Sequence, residues 1–226
     1  MNIITANNIS KVYGNGDSAV KAVDDVSLEL EKGEFLCILG RSGSGKSTLL
    51  NLLAALDKPT CGKLYFNGRD IINISGGELN KLRRKQIAVI FQFHHLLPYF
   101  TAEENVLLPC MNGITPVKNE HRNTARASLD IVGLSGKHNR LPNQLSGGEQ
   151  QRVAIARAIC SSPEILFADE PTGSLDKETG DSIIALLSEL NKKGLTIVMI
   201  THQQDYAAAA DRIINMENGK IKINSY

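Results

Sequence analysis

Eight residues, Gly40-Arg41-Ser42-Gly43-Ser44-Gly45-Lys46-Ser47, constrain the fold more than any other segment of the chain. They fit the pattern G-x-x-x-x-G-K-[ST]. The apolar run Phe35-Leu36-Cys37-Ile38-Leu39 stands directly before them, and a helical pattern begins near Lys46 and continues through Thr48. Glycines at this spacing let the backbone curl so that successive N–H groups point inward, and the helix start adds roughly half a positive charge. Lys46 is suited to bridging terminal phosphates, and the Ser47 hydroxyl to ligating Mg²⁺. At average residue frequencies a chance match in a chain of this length is on the order of one in a hundred. The strand–loop–helix context lowers that further, so residues 40–48 predict a bound nucleotide.

Other apolar runs also stand before polar loops. Ile87-Ala88-Val89-Ile90-Phe91 precedes Gln92, Ile165-Leu166-Phe167-Ala168 precedes Asp169, and Thr196-Ile197-Val198-Met199-Ile200 precedes Thr201-His202. Short continuous apolar runs suit strands buried on both faces of a parallel sheet. Helical patterns at 49–56, 147–160 and 179–192 separate them, which predicts an α/β fold with right-handed crossovers. Ligands in such sheets gather at the carboxyl ends of the strands, where all four polar features fall. Residues 1–30 alternate apolar and polar around Gly14-Asn15-Gly16-Asp17 and predict an antiparallel β-subdomain. Residues 109–146, with one amphipathic pattern at 119–132, predict an inserted helical subdomain. Asn218-Gly219, between Ile213-Ile214 and Ile221-Lys222-Ile223, predicts a hairpin. A single domain spanning 1–226 is expected, with 93–160 containing the helical insertion.

The 226 residues carry 25 basic and 24 acidic side chains, a net charge of +1, which argues against a broad nucleic-acid surface. Cys37, Cys61, Cys110 and Cys160 form no C-x-x-C pair and have no His at zinc spacing, so free thiols in a reducing compartment are expected. The first ten residues show neither a cationic leader nor an apolar stretch of signal-peptide length. No run approaches the roughly 20 apolar residues of a membrane span. A cytoplasmic protein is expected, one that a partner must hold if it works at a membrane.

A second anion-binding turn is predicted at Leu145-Ser146-Gly147-Gly148-Glu149-Gln150, before the helical Arg152-Val153-Ala154-Ile155-Ala156-Arg157. Ser146 and Glu149 form an S-x-x-E capping box, and the two glycines leave first-turn N–H groups open. A well-capped helix would look the same in these four letters. Ser75-Gly76-Gly77-Glu78 repeats them and reads as an ordinary cap, because it lacks the flanking sequence.

Asp169-Glu170 at a strand end is, on its own, a solvated loop or a helix-start charge. Within a nucleotide site Asp169 would bind Mg²⁺, directly or through water, and Glu170 would activate the attacking water. Gln92 would coordinate Mg²⁺ or position water, and His202 would donate to the γ-phosphate. Each is bland in isolation. The pattern becomes informative when all occur together.

Together these segments resemble the ATPases of ABC transporters over essentially the whole length. In that family's terms, 40–47 resembles the Walker A motif, Gln92 the Q-loop and 145–150 the signature motif. Residues 165–169 resemble Walker B, Glu170 the catalytic glutamate, Ser174-Leu175-Asp176 the D-loop and His202 the switch histidine. Tyr13 sits where the family places an aromatic that stacks on adenine. The resemblance implies ATP and Mg²⁺ as ligands and a P-loop NTPase core. It also implies a head-to-tail dimer with a second copy, and a permease partner at the inner face of the cell membrane. Leu56-Asp57-Lys58-Pro59-Thr60, Phe91-Gln92-Phe93-His94-His95-Leu96-Leu97-Pro98 and Glu104-Asn105-Val106 are most similar to the lipoprotein-release, macrolide-export and antimicrobial-peptide-export branch. The resemblance leaves open a relative that signals to a cell-division protein without moving cargo. A nucleotide kinase would share 40–47 but leave 145–150 and His202 unexplained. The apolar 93–100 segment fits either local packing or contact with a membrane subunit.

Overall fold

The computed structural model describes residues 1–111 and 117–222. The first strands, β1 (Asn2–Tyr13) and β2 (Val20–Glu31), pair antiparallel, as the alternation of 1–30 predicts. β3 (Phe35–Leu39) leads through the glycine loop into α1 (Lys46–Leu53). β4 (Cys61–Phe66) and β5 (Arg69–Asp70) follow, and then α2 (Gly76–Lys85) and β6 (Ile87–Ile90). Three helices fill the insertion: α3 (Ala102–Leu107), α4 (Asn119–Ile131) and α5 (Gly147–Ile159). The chain closes with β7 (Ile165–Asp169), α6 (Lys177–Lys192), β8 (Thr196–Thr201), α7 (Gln204–Ala207), β9 (Arg212–Glu217) and β10 (Lys220–Lys222). The β9–β10 hairpin turns at Asn218-Gly219 as expected, while Ile223 lies outside the described residues. Among the described residues no helix is long and apolar enough to cross a membrane.

Two sheets result. The order β2-β1-β4-β5 is antiparallel, and β10-β9-β3-β8-β7-β6 is parallel apart from its β10 edge. The central strands are buried on both faces, and the period of two divides their side chains between two cores. Phe35, Cys37, Leu166, Ala168, Ile197 and Met199 pack with Val106, Leu129 and Val153 of the insertion and with α6. Leu36, Ile38, Ile165, Phe167, Val198 and Ile200 pack on the opposite side with α1 and the antiparallel sheet. Burial pushes the Cys37 thiol up to about 12, as befits a small core residue.

Three features depart from the sequence reading. β4 and β5 extend the antiparallel sheet beyond 1–30, with β4 pairing along β1 from Ile4↔Phe66 to Ser10↔Cys61. The helix begins at Lys46 as expected but stops at Leu53 rather than continuing to 56, two residues before Ala55 turns to a φ of 55°. The insertion gains α3, held by a Thr101–Glu104 capping box.

Candidate functional site

Gly45 caps α1 at a φ of 98°, a conformation that a side chain strains. A Cβ there would also lie within 3.0 Å of the Ala22 carbonyl oxygen and the Met216 methyl, so backbone shape and packing both require glycine. Gly219 N donates to Ser44 O at 2.9 Å, which ties the loop to the β9–β10 turn. Lys46 is buried, and its ammonium donates to Gly40 O at 2.8 Å and Arg41 O at 2.9 Å. It therefore braces the loop it belongs to.

Strand ends deliver the remaining groups. The Ser47 hydroxyl donates to Asp169 Oδ1 at 3.4 Å. Burial, with the neighbouring Glu170 charge, raises the Asp169 carboxyl above its usual range, against the Ser47 hydrogen bond and the Lys46 charge. Glu170 takes a φ of 47°, held by its N–H on Ile200 O at 3.0 Å. Its carboxylate accepts from Thr201 Oγ1 at 3.4 Å and stands 3.0 Å from His202 Nδ1 through either oxygen. Gln92 follows β6, where its carboxamide packs on Gly173 and its carbonyl accepts from Ser174 Oγ at 3.4 Å. Gly40, Arg41, Ser42, Ser47, Gln92, Asp169, Glu170 and His202 line one cleft of about 950 Å³. Ser47, Asp169 and Gln92 offer a hard oxygen set of the kind Mg²⁺ takes.

Three groups of predicted residues stand apart from this cleft: Tyr13, the 145–150 turn and 174–176. Tyr13 ends β1, with its hydroxyl on Asp57 Oδ2 at 2.8 Å and the Lys11 ammonium 5.0 Å from its ring centre. The turn at 145–150 lies at the start of α5 and contributes nothing to the cleft lining. Its capping box is complete: Ser146 N donates to Glu149 Oε2 at 2.9 Å, and Glu149 N to Ser146 Oγ at 3.3 Å. Contact with Lys137, and then the Ser146 N–H, hold the Glu149 carboxyl below its usual range. Gln150 turns back to the carbonyls of Pro142 and Leu145. Gly148 packs on Thr179 and Gly147 faces Leu175, so the signature-like turn abuts the D-loop-like segment. Asp176 is the N-cap of α6, accepting from Thr179 N at 2.9 Å. The Ser75 copy forms the same capping box, yet a Cβ on either of its glycines would meet nothing within 4 Å.

The family pattern described as ABC transporter matches residues 23–173, which covers the glycine loop, Gln92, the 145–150 turn, Asp169 and Glu170. The chain belongs to the ABC transporter family. It is one of that family's ATP-binding, ATP-hydrolysing cassettes. The cassette is 47% identical over 219 residues to the ABC transporter ATP-binding protein MJ1508 of Methanocaldococcus jannaschii, covering 97% of each chain. It is 44% identical to the macrolide export ATP-binding/permease protein MacB of Sodalis glossinidius, over 97% of its own length. There it spans about a third of the relative, 33%. A solved dimer of the ATP-binding cassette MJ0796, in a post-hydrolysis state with ADP and Pi, superposes with a TM-score of 0.87. That match has 41% identity and covers 97% of each chain.

Two residues that the sequence reading quotes only inside longer segments, with no role of their own, organise the cassette's Gln92 loop. Asn105 is fully buried and bonds Leu97 N at 2.8 Å, Leu97 O at 3.1 Å, Phe100 O at 2.9 Å and Thr101 O at 3.1 Å. Arg157 of α5 reaches the same loop at His94 and His95. An Asn at the end of a polar stretch and an Arg in a helical repeat carry no local signal of such contacts.

Proposed function

We propose that two copies of this chain stack head to tail, so that the 145–150 turn of each closes the ATP cleft of the other. The carrying observation is that, among the described residues, the helix starts after Gly45 and Ser146 both suit an anion, and of these two the first alone borders the cleft. In this reading the loop N–H groups and Lys46 hold the phosphates, and Tyr13 stacks on adenine. Ser47, Gln92 and Asp169 hold Mg²⁺, which neutralises phosphate charge. Glu170 takes the proton of the attacking water, and His202 orients that carboxylate and donates to the γ-phosphate. Ser146, Gly147 and Gly148 offer N–H groups to the partner's nucleotide, with Leu145, Glu149 and Gln150 holding the turn. Ser174, Leu175 and Asp176 lie behind it, at the contact between the copies.

Closure then drives a transmembrane permease that holds the chain at the inner face of the membrane. Phe93, Leu97 and Tyr99 support that contact, being exposed by 68%, 42% and 90% along one loop leading out of the cleft. The macrolide-export relative, which carries a permease in the same polypeptide, supports an export role. Lipoprotein release remains the reading suggested by Phe91 to Leu97.

Glu170→Gln tests the assembly. Loss of the base should slow hydrolysis by roughly 10²–10⁴-fold while ATP still binds. The variant should then double in mass on adding ATP, as read by light scattering. A variant that stays monomeric with ATP, both alone and beside its membrane partner, would refute the stacked pair.

A further inference from the structure

One side chain of α5 hydrogen-bonds the backbone of the cleft loop. Arg157 donates from Nη1 to His95 O and from Nη2 to His94 O, both at 2.8 Å. A planar guanidinium can span two successive carbonyls in this way, whereas an ammonium is a single point. The loop it grips is under constraint. His95 takes a φ of 46°, and its ring meets Phe91 edge-on at 5.4 Å. Gln92, Phe93 and His95 of this loop line the cleft, and Leu97 and Tyr99 further along are exposed. At the other end of the same helix, about 16 Å away at 1.5 Å per residue, sits the Ser146 cap.

Burial depresses the Arg157 pKa, and among the described residues its guanidinium bonds these two carbonyls and no carboxylate.

We infer that Arg157 is a positioning residue that locks the 92–99 loop to α5, so that nucleotide in the cleft moves the exposed aromatics and the 145–150 turn as one unit. This rests on the functional reading above and names the side chain that links its two halves. Arg157 touches no nucleotide in this account. Its loss should therefore change turnover and leave nucleotide affinity in place.

The chain contains no tryptophan, so Tyr99→Trp installs a single fluorescent reporter on the loop. With Arg157 present, ATP should shift the emission of that reporter. Arg157→Lys keeps the charge and most of the packing but cannot grip both carbonyls. It should abolish more than half of the shift and lower kcat about 10-fold, within the range for a misplaced catalytic group. KM and the affinity for a fluorescent ATP analogue should stay within about threefold. Arg157→Gln should behave at least as severely. An emission that ignores ATP in the parent reporter overturns the inference, as does a kcat that survives both substitutions or falls only in proportion to unfolded protein. If the unsubstituted chain hydrolyses no ATP, the functional reading falls with it. If the parent hydrolyses and the variants match it, the inference alone falls.

Discussion

Gly148→Ala should damage the chain through one methyl group. A Cβ there would sit inside 3.0 Å of Thr179 Cγ2, where carbon pairs ordinarily rest at about 3.5–4.0 Å. Thr179 cannot swing away, because Asp176 holds its N–H at 2.9 Å and its hydroxyl at 2.7 Å. Overpacking of this kind costs about 1–3 kcal/mol, and the better helix propensity of Ala returns at most about 1 kcal/mol. An approach this close belongs at the top of that range, so the net loss is about 2 kcal/mol, roughly 4–8 °C in Tm for a chain of this length. Hydrolysis should fall too, since the start of α5 must tilt to relieve the contact. Thr179→Ser removes the offending methyl and keeps the hydroxyl that Asp176 binds. In that background Gly148→Ala should cost nothing in Tm and recover most ATPase activity. Gly77→Ala in the twin motif meets open space and should be neutral or slightly stabilising. Thermal melts and ATPase rates across these variants decide the matter. A Gly148→Ala chain with parental Tm, or a loss that Thr179→Ser leaves untouched, refutes the contact.

Asp169→Asn should raise Tm at pH 7 while impairing hydrolysis. Burial and Glu170 raise the folded pKa of Asp169, so ionisation above it costs folding energy. The gain should fade as pH falls through that raised value and vanish below 3.8, where folded and unfolded chains both hold the proton. Asn105→Ala should cost about 2–3 kcal/mol in urea unfolding, because it orphans Leu97 N and Phe100 O, while Leu97 O and Thr101 O keep the backbone N–H groups of residues 100 and 105. A cost under about 1 kcal/mol would mean that water satisfies them.

What the sequence shows plainly is what short-range physics decides. Glycine spacing, a continuous apolar run and a helical period place 40–47 from the end of β3 into the first turn of α1 without reference to the rest of the chain. Both S-x-x-E segments are capping boxes, as their letters predict. Their difference in surroundings is tertiary, since Gly148 meets Thr179 across 31 residues of chain and Gly77 meets nothing. β4 was hidden because Cys61-Gly62-Lys63 is exposed and only long-range pairing with β1 makes it a strand. α3 spans six residues, too few for a period to show. The left-handed backbone of Glu170 follows from its N–H on Ile200, an acceptor 30 residues on. The Arg157 grip lies 62 and 63 residues from its carbonyls.

The central claim is that each ATP site is built from two chains, and mixing two inert variants tests it most directly. Lys46→Ala disables the phosphate loop, and Ser146→Arg blocks the turn that would face the partner's nucleotide. Each variant alone should be nearly inactive. A mixed pair contains one site made only of intact parts, so an equimolar mixture should recover roughly a quarter of parental ATPase activity if pairing is random and sites act independently. A mixture no more active than the sum of its parts, or a Ser146→Arg chain that hydrolyses ATP at the parental rate alone, would contradict the shared site.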